Sequence, residues 1–193
     1  MVLDRYFLFG MGLVILWILV LIRNYRAKDD IKFFWFCELS PILLAFGFFF
    51  GNIQLIKGII DVGLITQFIT LVSLVLVTFF GADIPPVTGN VKKGKFYLIV
   101  SYLLHLVPVN LALIFTLQTR ATPISLIYGV LVLVLIFVLS LAFTPASKNI
   151  NFVQHLNTVG FKPRYYKVYW FILAFLLIVL PTHFLQNWFS SIF

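Results

Sequence analysis

Charge is what this sequence has least of. Asp, Glu, Lys and Arg together make up 10% of its 193 residues, and only six residues are acidic, whereas soluble domains carry about 25% charged residues. So little charge cannot cover a water-facing surface. No stretch is left from which to build a nucleotide-binding or soluble catalytic domain. Cysteine is nearly absent as well. The single Cys37 lies in an apolar segment, which excludes an internal disulfide and a cysteine-based metal site. His183 lies toward the opposite face from Glu38, which argues against a metal shared between them. No metal and no cofactor is therefore expected.

What is abundant is apolar side chain. The hydrophobic fraction is 62% and the aromatic fraction 18%, with 23 Phe. Six apolar runs, at about residues 6–22, 33–50, 58–80, 96–117, 124–143 and 168–188, have the length of membrane-crossing helices. The reading is all-α: one six-transmembrane-helix bundle occupying residues 1–193. The first run is longer than a signal-peptide core, lacks a small-residue cleavage pattern and is followed by further spans, so it reads as a retained helix. Gly10 and Gly12 within it permit close packing. The link at 82–95 is rich in turn formers and reads as a loop. The loop at 144–167 is polar and basic, with a short interfacial helix expected near 152–156. Tyr165, Tyr166, Tyr169 and Trp170 read as an interface belt.

The net charge of +8 could suggest nucleic acid, but the basic residues sit in short loops, where membrane orientation explains them and no nucleic-acid partner is needed. Placing the first, third and fifth loops on one side gathers Arg23, Arg26, Lys28, Lys32, Lys92, Lys93, Lys95, Lys148, Lys162, Arg164 and Lys167, eleven of the fourteen basic residues. That asymmetry predicts both termini on the non-cytoplasmic face of a multi-pass protein, with a prokaryotic cytoplasmic membrane as its expected home. The bilayer is then its first partner. A lipid substrate, and a second copy or another membrane subunit, are the further partners considered.

Polar groups inside such helices are costly, and they direct attention to function. Glu38 follows Cys37 in the second run, and Pro41 crowds the carbonyl of Cys37. Glu38 either sits close enough to the interface to reach water or, as expected of an ionised carboxylate here, faces the interior within hydrogen-bond or one-water distance of a polar group on the third or fourth span. On the third span Gly63, Thr66, Gln67, Thr70 and Ser73 share one face, and Gln67 lies near mid-membrane. Asp61, about a turn inside the span, is expected at headgroup depth. The fourth span carries His105 nearly ten residues deep, with Asn110 beyond and Pro108 freeing the carbonyl of Leu104. Pro181 and His183 sit near the far end of the sixth span, within reach of water. The second, third and fourth spans can thus offer Cys37, Glu38, His105, Thr66, Gln67, Thr70, Ser73 and Asn110 to one cytoplasm-facing cavity. A thiol near an imidazole is the minimum for nucleophilic catalysis.

The segments Trp35-Phe36-Cys37-Glu38, Gly63-Leu64-Ile65-Thr66-Gln67 and His105-Leu106-Val107-Pro108 resemble a group of small prokaryotic integral membrane proteins with a Trp-Phe-Cys-Asp or Asn segment, a Gly-x-x-x-Gln segment and a later His on a Pro-containing helix. More distantly the chain is similar to the YwaF/TMEM164 superfamily. The likeness covers roughly residues 33–117. It implies a membrane acyltransferase or lipid hydrolase, with Cys37 matching the nucleophile and His105 the base. Glu38 departs from the pattern after the cysteine, and the histidine sits closer to its proline.

Three readings stay open on the sequence. They are a lipid-directed enzyme using Cys37 or a threonine of the third span with His105, a small proton-coupled carrier in which Glu38 and His105 titrate, and a non-catalytic membrane subunit whose polar groups hold helices together. A pocket open sideways to lipid would favour the first, a water path to both faces the second, and a packed interior with paired polar groups the third.

Overall fold

The structure, a computed structural model, describes residues 4–28, 32, 34–84, 87, 93–145, 150–152 and 165–192. The described residues are all-helical. The elements are α1 (Arg5–Arg26), α2 (Phe36–Phe49), α3 (Ile53–Phe80), α4 (Lys95–Leu106), α5 (Pro108–Phe115), α6 (Pro123–Phe143), α7 (Tyr166–Ala174), a π-helical segment (Phe175–Val179) and α8 (Leu180–Ile192). Counting α4–α5 as one rod, Lys95–Phe115, and α7 through α8 as another, Tyr166–Ile192, five helices are long and apolar enough to cross a membrane, and the shorter Phe36–Phe49 is also apolar. By composition this is a multi-pass membrane protein. Its outer surface agrees: Phe7, Ile15, Phe68, Phe79, Ile114, Ile127, Leu131 and Phe184 are exposed large apolar side chains spread over every long helix.

The helices begin and end where local chemistry sets them. Asp4 accepts a hydrogen bond from the Tyr6 amide at the start of α1, and Asn52 accepts one from the Leu55 amide at the start of α3. The second cap makes α3 longer than the apolar run. It starts at Ile53, not near residue 58, so Lys57 and Asp61 are carried inside the helix. Gly51, at φ +59, reverses the chain between α2 and α3 in the left-handed region that favours glycine. The three internal prolines act as the sequence suggests. Pro108 divides the fourth rod at Val107. Pro41 leaves the Cys37 carbonyl to the Ser40 hydroxyl, which donates to it at 2.9 Å. Pro181 cannot donate to the carbonyl of Leu177, which lies in the π-helical segment.

α3 is the central helix, packed against α2, α4, α5, α6 and α8. Its closest crossing is with α6: a Cβ on Gly58 would lie 2.6 Å from the Ser125 carbonyl oxygen and 2.7 Å from the Gly129 nitrogen. Only glycine lets the backbones approach so closely. α1 and α2 form an antiparallel pair, with Gly10 against the Phe49 ring. Gly12, by contrast, has open space beside it. An aromatic group built on Phe9, Phe48 and Phe115 seals one end of the core, with ring centroids of Phe9 and Phe48 4.5 Å apart and Phe48 edge-on to Phe115 at 5.1 Å.

The expected interfacial helix near 152–156 lies outside the described residues beyond Phe152. Phe33, where the second apolar run begins, does as well, and α2 itself starts at Phe36.

Candidate functional site

The polar residues singled out in the sequence separate into four places. Glu38 is buried and faces the bundle interior, but its partners are on α1, not on the third or fourth span. Arg23 and Asn24 both donate to its carboxylate. The Arg23 guanidinium also donates to Asn24 Oδ1, at 3.1 and 2.9 Å, and to Ser101 Oγ of α4 at 3.1 Å, and it stacks over the Tyr97 ring at 4.7 Å. This buried carboxylate is thus matched by a fork of donors that ties α1, α2 and α4 together. The sequence reading missed it because Arg23 was assigned to a polar link. In the fold α1 continues to Arg26, so Arg23 and Asn24 are helical and only 3% exposed. The signal was present: Arg23, Asn24 and Arg26 end an apolar run with neither proline nor glycine among them.

Gln67, near mid-helix, donates from Nε2 to Ser40 Oγ at 2.7 Å, so the polar face of α3 is stitched to the proline turn of α2. His105 is 6% exposed on the same helix as Ser101. Its Nδ1 is buried without a hydrogen-bond partner among the described residues. Among the described residues no hydrogen bond joins His105 to Cys37 or to Glu38. Ser73 and Asn110 turn back on their own helices, donating to the carbonyls of Ile69 and Leu106.

The third place is a cleft of about 890 Å³ between α3, α6 and the last rod. Its volume is in the range of small-molecule sites. Cys37 lies on its wall with Thr66 and Thr70, whereas Gln67, Ser73, His105 and Asn110 are not among its lining residues. Val62, Thr66, Ile69 and Thr70 form one wall at helical spacing; Leu133 and Ile136 form the back; Leu173, Ala174, Leu177 and Ile178 form the facing wall. The rim is exposed and apolar, with Ile69 at 58% and Leu177 at 64%, so the cleft opens sideways. At one end Trp35, Tyr166, Tyr169 and Trp170 make an aromatic collar. Part of the expected interface belt therefore serves as a mouth.

One collar residue was not foreseen. Asn151, at φ +52 in the short turn Ile150–Phe152, makes four hydrogen bonds, two to the start of α2 and the residues before it, one to α6 and one to α7. Its Oδ1 accepts from the Phe36 amide at 3.0 Å, its Nδ2 donates to the Phe34 carbonyl and to Ser140 Oγ, both at 2.8 Å, and its carbonyl accepts from Trp170 Nε1 at 2.9 Å. It thereby caps α2 from far along the chain. A polar loop residue with no local motif gave no sequence signal for this.

The chemistry of the cleft follows from these bonds. Thr66 donates its hydroxyl to the carbonyls of Gly63 and Val62, at 3.0 and 3.2 Å, and Thr70 donates to that of Thr66 at 2.9 Å. Hydroxyls returned to their own helix present methyl groups to the space beside it. Among the described residues no base is hydrogen-bonded to Cys37, the one thiol on the wall. The cleft is therefore equipped to hold apolar matter more plainly than to activate a nucleophile. Asp61, expected at headgroup depth, is instead wholly buried and bound to His183 and Gln186 of α8. The extra turns at the start of α3 bring it inside, and His183 is buried with it rather than open to water. No family model, curated protein or solved structure matches the chain.

Proposed function

We propose that this is a six-span membrane protein, with both termini on the non-cytoplasmic side, that takes a lipid acyl chain into the cleft between α3 and the last rod. The observation that carries the reading is the shape of the cleft: apolar, open to the side, and running from an aromatic collar at Tyr166 to Ile178. Twelve helical steps are about 18 Å, close to half of the roughly 30 Å hydrocarbon core. The cleft so oriented is one leaflet deep. Its collar falls on the cytoplasmic side assigned by the basic loops, with Lys32 and Lys167 nearby in sequence, where an anionic headgroup would find aromatic and cationic partners.

The bonds around Glu38 and Gln67 favour a fixed scaffold beside that cleft over a water path across it. Acyl transfer or hydrolysis is the second reading. It rests on Cys37 being on the cleft wall and on the resemblance of residues 33–117 to membrane acyltransferases.

A lipid bearing a photoreactive group at mid-chain tests the proposal. In native membranes it should crosslink to peptides of α3 and the last rod, and Thr70→Trp, which fills the cleft, should abolish those crosslinks while leaving the protein folded. Equal labelling of all outward helix faces, unchanged in Thr70→Trp, would show ordinary annular lipid and reject the cleft. Lipid turnover lost in Cys37→Ser would promote the second reading.

A further inference from the structure

At the end of α3 remote from Arg23 and Glu38, Asp61, His183 and Gln186 meet inside the bundle one helical turn from Lys57, without lining the cleft. Asp61 is completely buried, and its two oxygens are both engaged: Oδ1 accepts from Gln186 Nε2 at 2.6 Å and Oδ2 faces His183 Nδ1 at 3.1 Å. Gln186 Nε2 also donates to the Lys57 carbonyl at 3.0 Å, fixing the amide so that its nitrogen faces the carboxylate. One turn before Asp61 on α3, Lys57 is also wholly buried, and its Nζ has no hydrogen-bond partner among the described residues. Gln186 Oε1 is buried and unpartnered too. A strong donor and a good acceptor are thus left over around one carboxylate.

We propose that Lys57, Asp61, His183 and Gln186 form a proton-binding site between α3 and α8, in which one buried carboxylate is balanced by a single proton for which two bases, Lys57 and His183, compete. A buried negative charge requires one positive charge beside it and is penalised by two or by none. Among the described residues the neighbours supply no other candidate. α6 contributes the backbone of Gly129 against the Asp61 Cβ and Tyr128, whose hydroxyl accepts from Asn52 Nδ2 at 3.3 Å. From the 116–122 connection, the Thr119 carbonyl accepts from Ser190 Oγ and the Arg120 side chain is exposed.

A proton on Asp61 itself gives one neutral form; with Asp61 ionised, as the Gln186 donor at Oδ1 favours, there are two more. In one, Lys57 is an ammonium and neutral His183 donates Nδ1–H to Asp61. In the other, Lys57 is an amine and His183 an imidazolium. Of these two, the first is the resting form at neutral pH, because an amine keeps its proton more strongly than an imidazole does. The two bases differ in access: the His183 side chain keeps 10% of its surface exposed while Lys57 is wholly buried. Protons enter and leave at the outer ring nitrogen of His183, Nε2. Uptake there leaves the carboxylate with two positive neighbours until a proton leaves again by the same nitrogen, and the contact between α3 and α8 loosens in the interval.

Nitrogen-15 NMR of histidine in the solubilised full chain reads this directly, with the His183 signals assigned by their loss in His183→Gln. In the wild-type chain at pH 7 His183 should be neutral with its proton on Nδ1; an imidazolium there overturns the proposal without recourse to a variant. In Lys57→Met the carboxylate loses its other cation, so His183 should hold its proton at least about tenfold more tightly, one pH unit in midpoint. In Lys57→Met/Asp61→Asn the site has no charge to balance, and His183 should return to neutral at pH 7. If Lys57→Met does not fold, Asp61→Asn alone should weaken proton binding at His183. A His183 midpoint that is the same in the wild type and in whichever of these variants folds sinks the shared-proton site and leaves a hydrogen-bonded clasp only.

Discussion

Asn151 and Phe36 lie 115 positions apart and are joined by one hydrogen bond, from the Phe36 amide to the Asn151 carboxamide oxygen at 3.0 Å. Through it a turn late in the chain supplies the missing cap at the start of α2, beside the cleft. Asn151→Ala removes this bond and the two made by Nδ2, and it places a Cβ-bearing residue with no side-chain compensation at φ +52. The expected loss is about 2–4 kcal/mol from stranded polar groups and backbone strain. Asn151→Gly relieves only the strain. Thermal unfolding in detergent should rank wild type above Asn151→Gly, and Asn151→Gly above Asn151→Ala.

The ion pair of Arg23 and Glu38 is buried on both sides, at 3% and 5% side-chain exposure. Breaking it with Arg23→Met or Glu38→Met should cost about 3–5 kcal/mol, since each strands the other member's polar groups in the core. The double variant Arg23→Met/Glu38→Met should recover most of that loss. A double-mutant cycle on melting temperature checks it, and simple additivity of the two losses would show that the pair is not coupled in the membrane.

His105 provides a sharper choice between the catalytic and the scaffold readings. Its Nδ1 is buried without a partner among the described residues, so His105→Leu, which removes the polar atoms and keeps most of the volume, should leave the melting temperature unchanged or raise it. A catalytic base behaves differently: the same variant would lose about 10²–10⁴ in any lipid-turnover rate while melting normally. Measuring both quantities on one preparation separates the two roles.

Gly58 is where α3 and α6 come closest. Gly58→Val would drive methyl groups into the Ser125 carbonyl and the Gly129 amide, neither of which can move without bending a helix. Overpacking of this kind costs about 1–3 kcal/mol or more. Gly12→Val, on a helix face with open space beside it, should cost a few tenths at most, and the contrast between the two is the measurement.

Orientation can be read by thiol labelling in a Cys37→Ser background, which has no other cysteine. Lys93→Cys should react only from the cytoplasmic side and Gln118→Cys only from the opposite side. Labelling of both from one side would remove the six-span topology.

The amino-acid sequence alone determines that this chain is helical and apolar enough for a membrane, approximately where its helices lie, and where prolines interrupt them. Each of these follows from local composition: the length of an apolar run, the missing amide at Pro41 or Pro108, the charges collected in short links. It also marks Glu38, Gln67 and His105 as groups that must be reconciled with an apolar interior. What it does not determine is which group answers which. Glu38 is met by Arg23 and Asn24 because α1 runs one turn past its apolar stretch and lies antiparallel to α2. Asp61 is met by His183 and Gln186 because a cap at Asn52 starts α3 five residues early. Cys37 and His105 part company because Cys37 faces the cleft and His105 does not line it. Helix boundaries and rotations are settled by packing between distant segments, and a shift of one turn or a rotation of one position moves a polar side chain from a neighbour's reach to the lipid. The cleft and its collar are likewise products of tertiary structure, since their walls come from five separated segments that no local pattern joins.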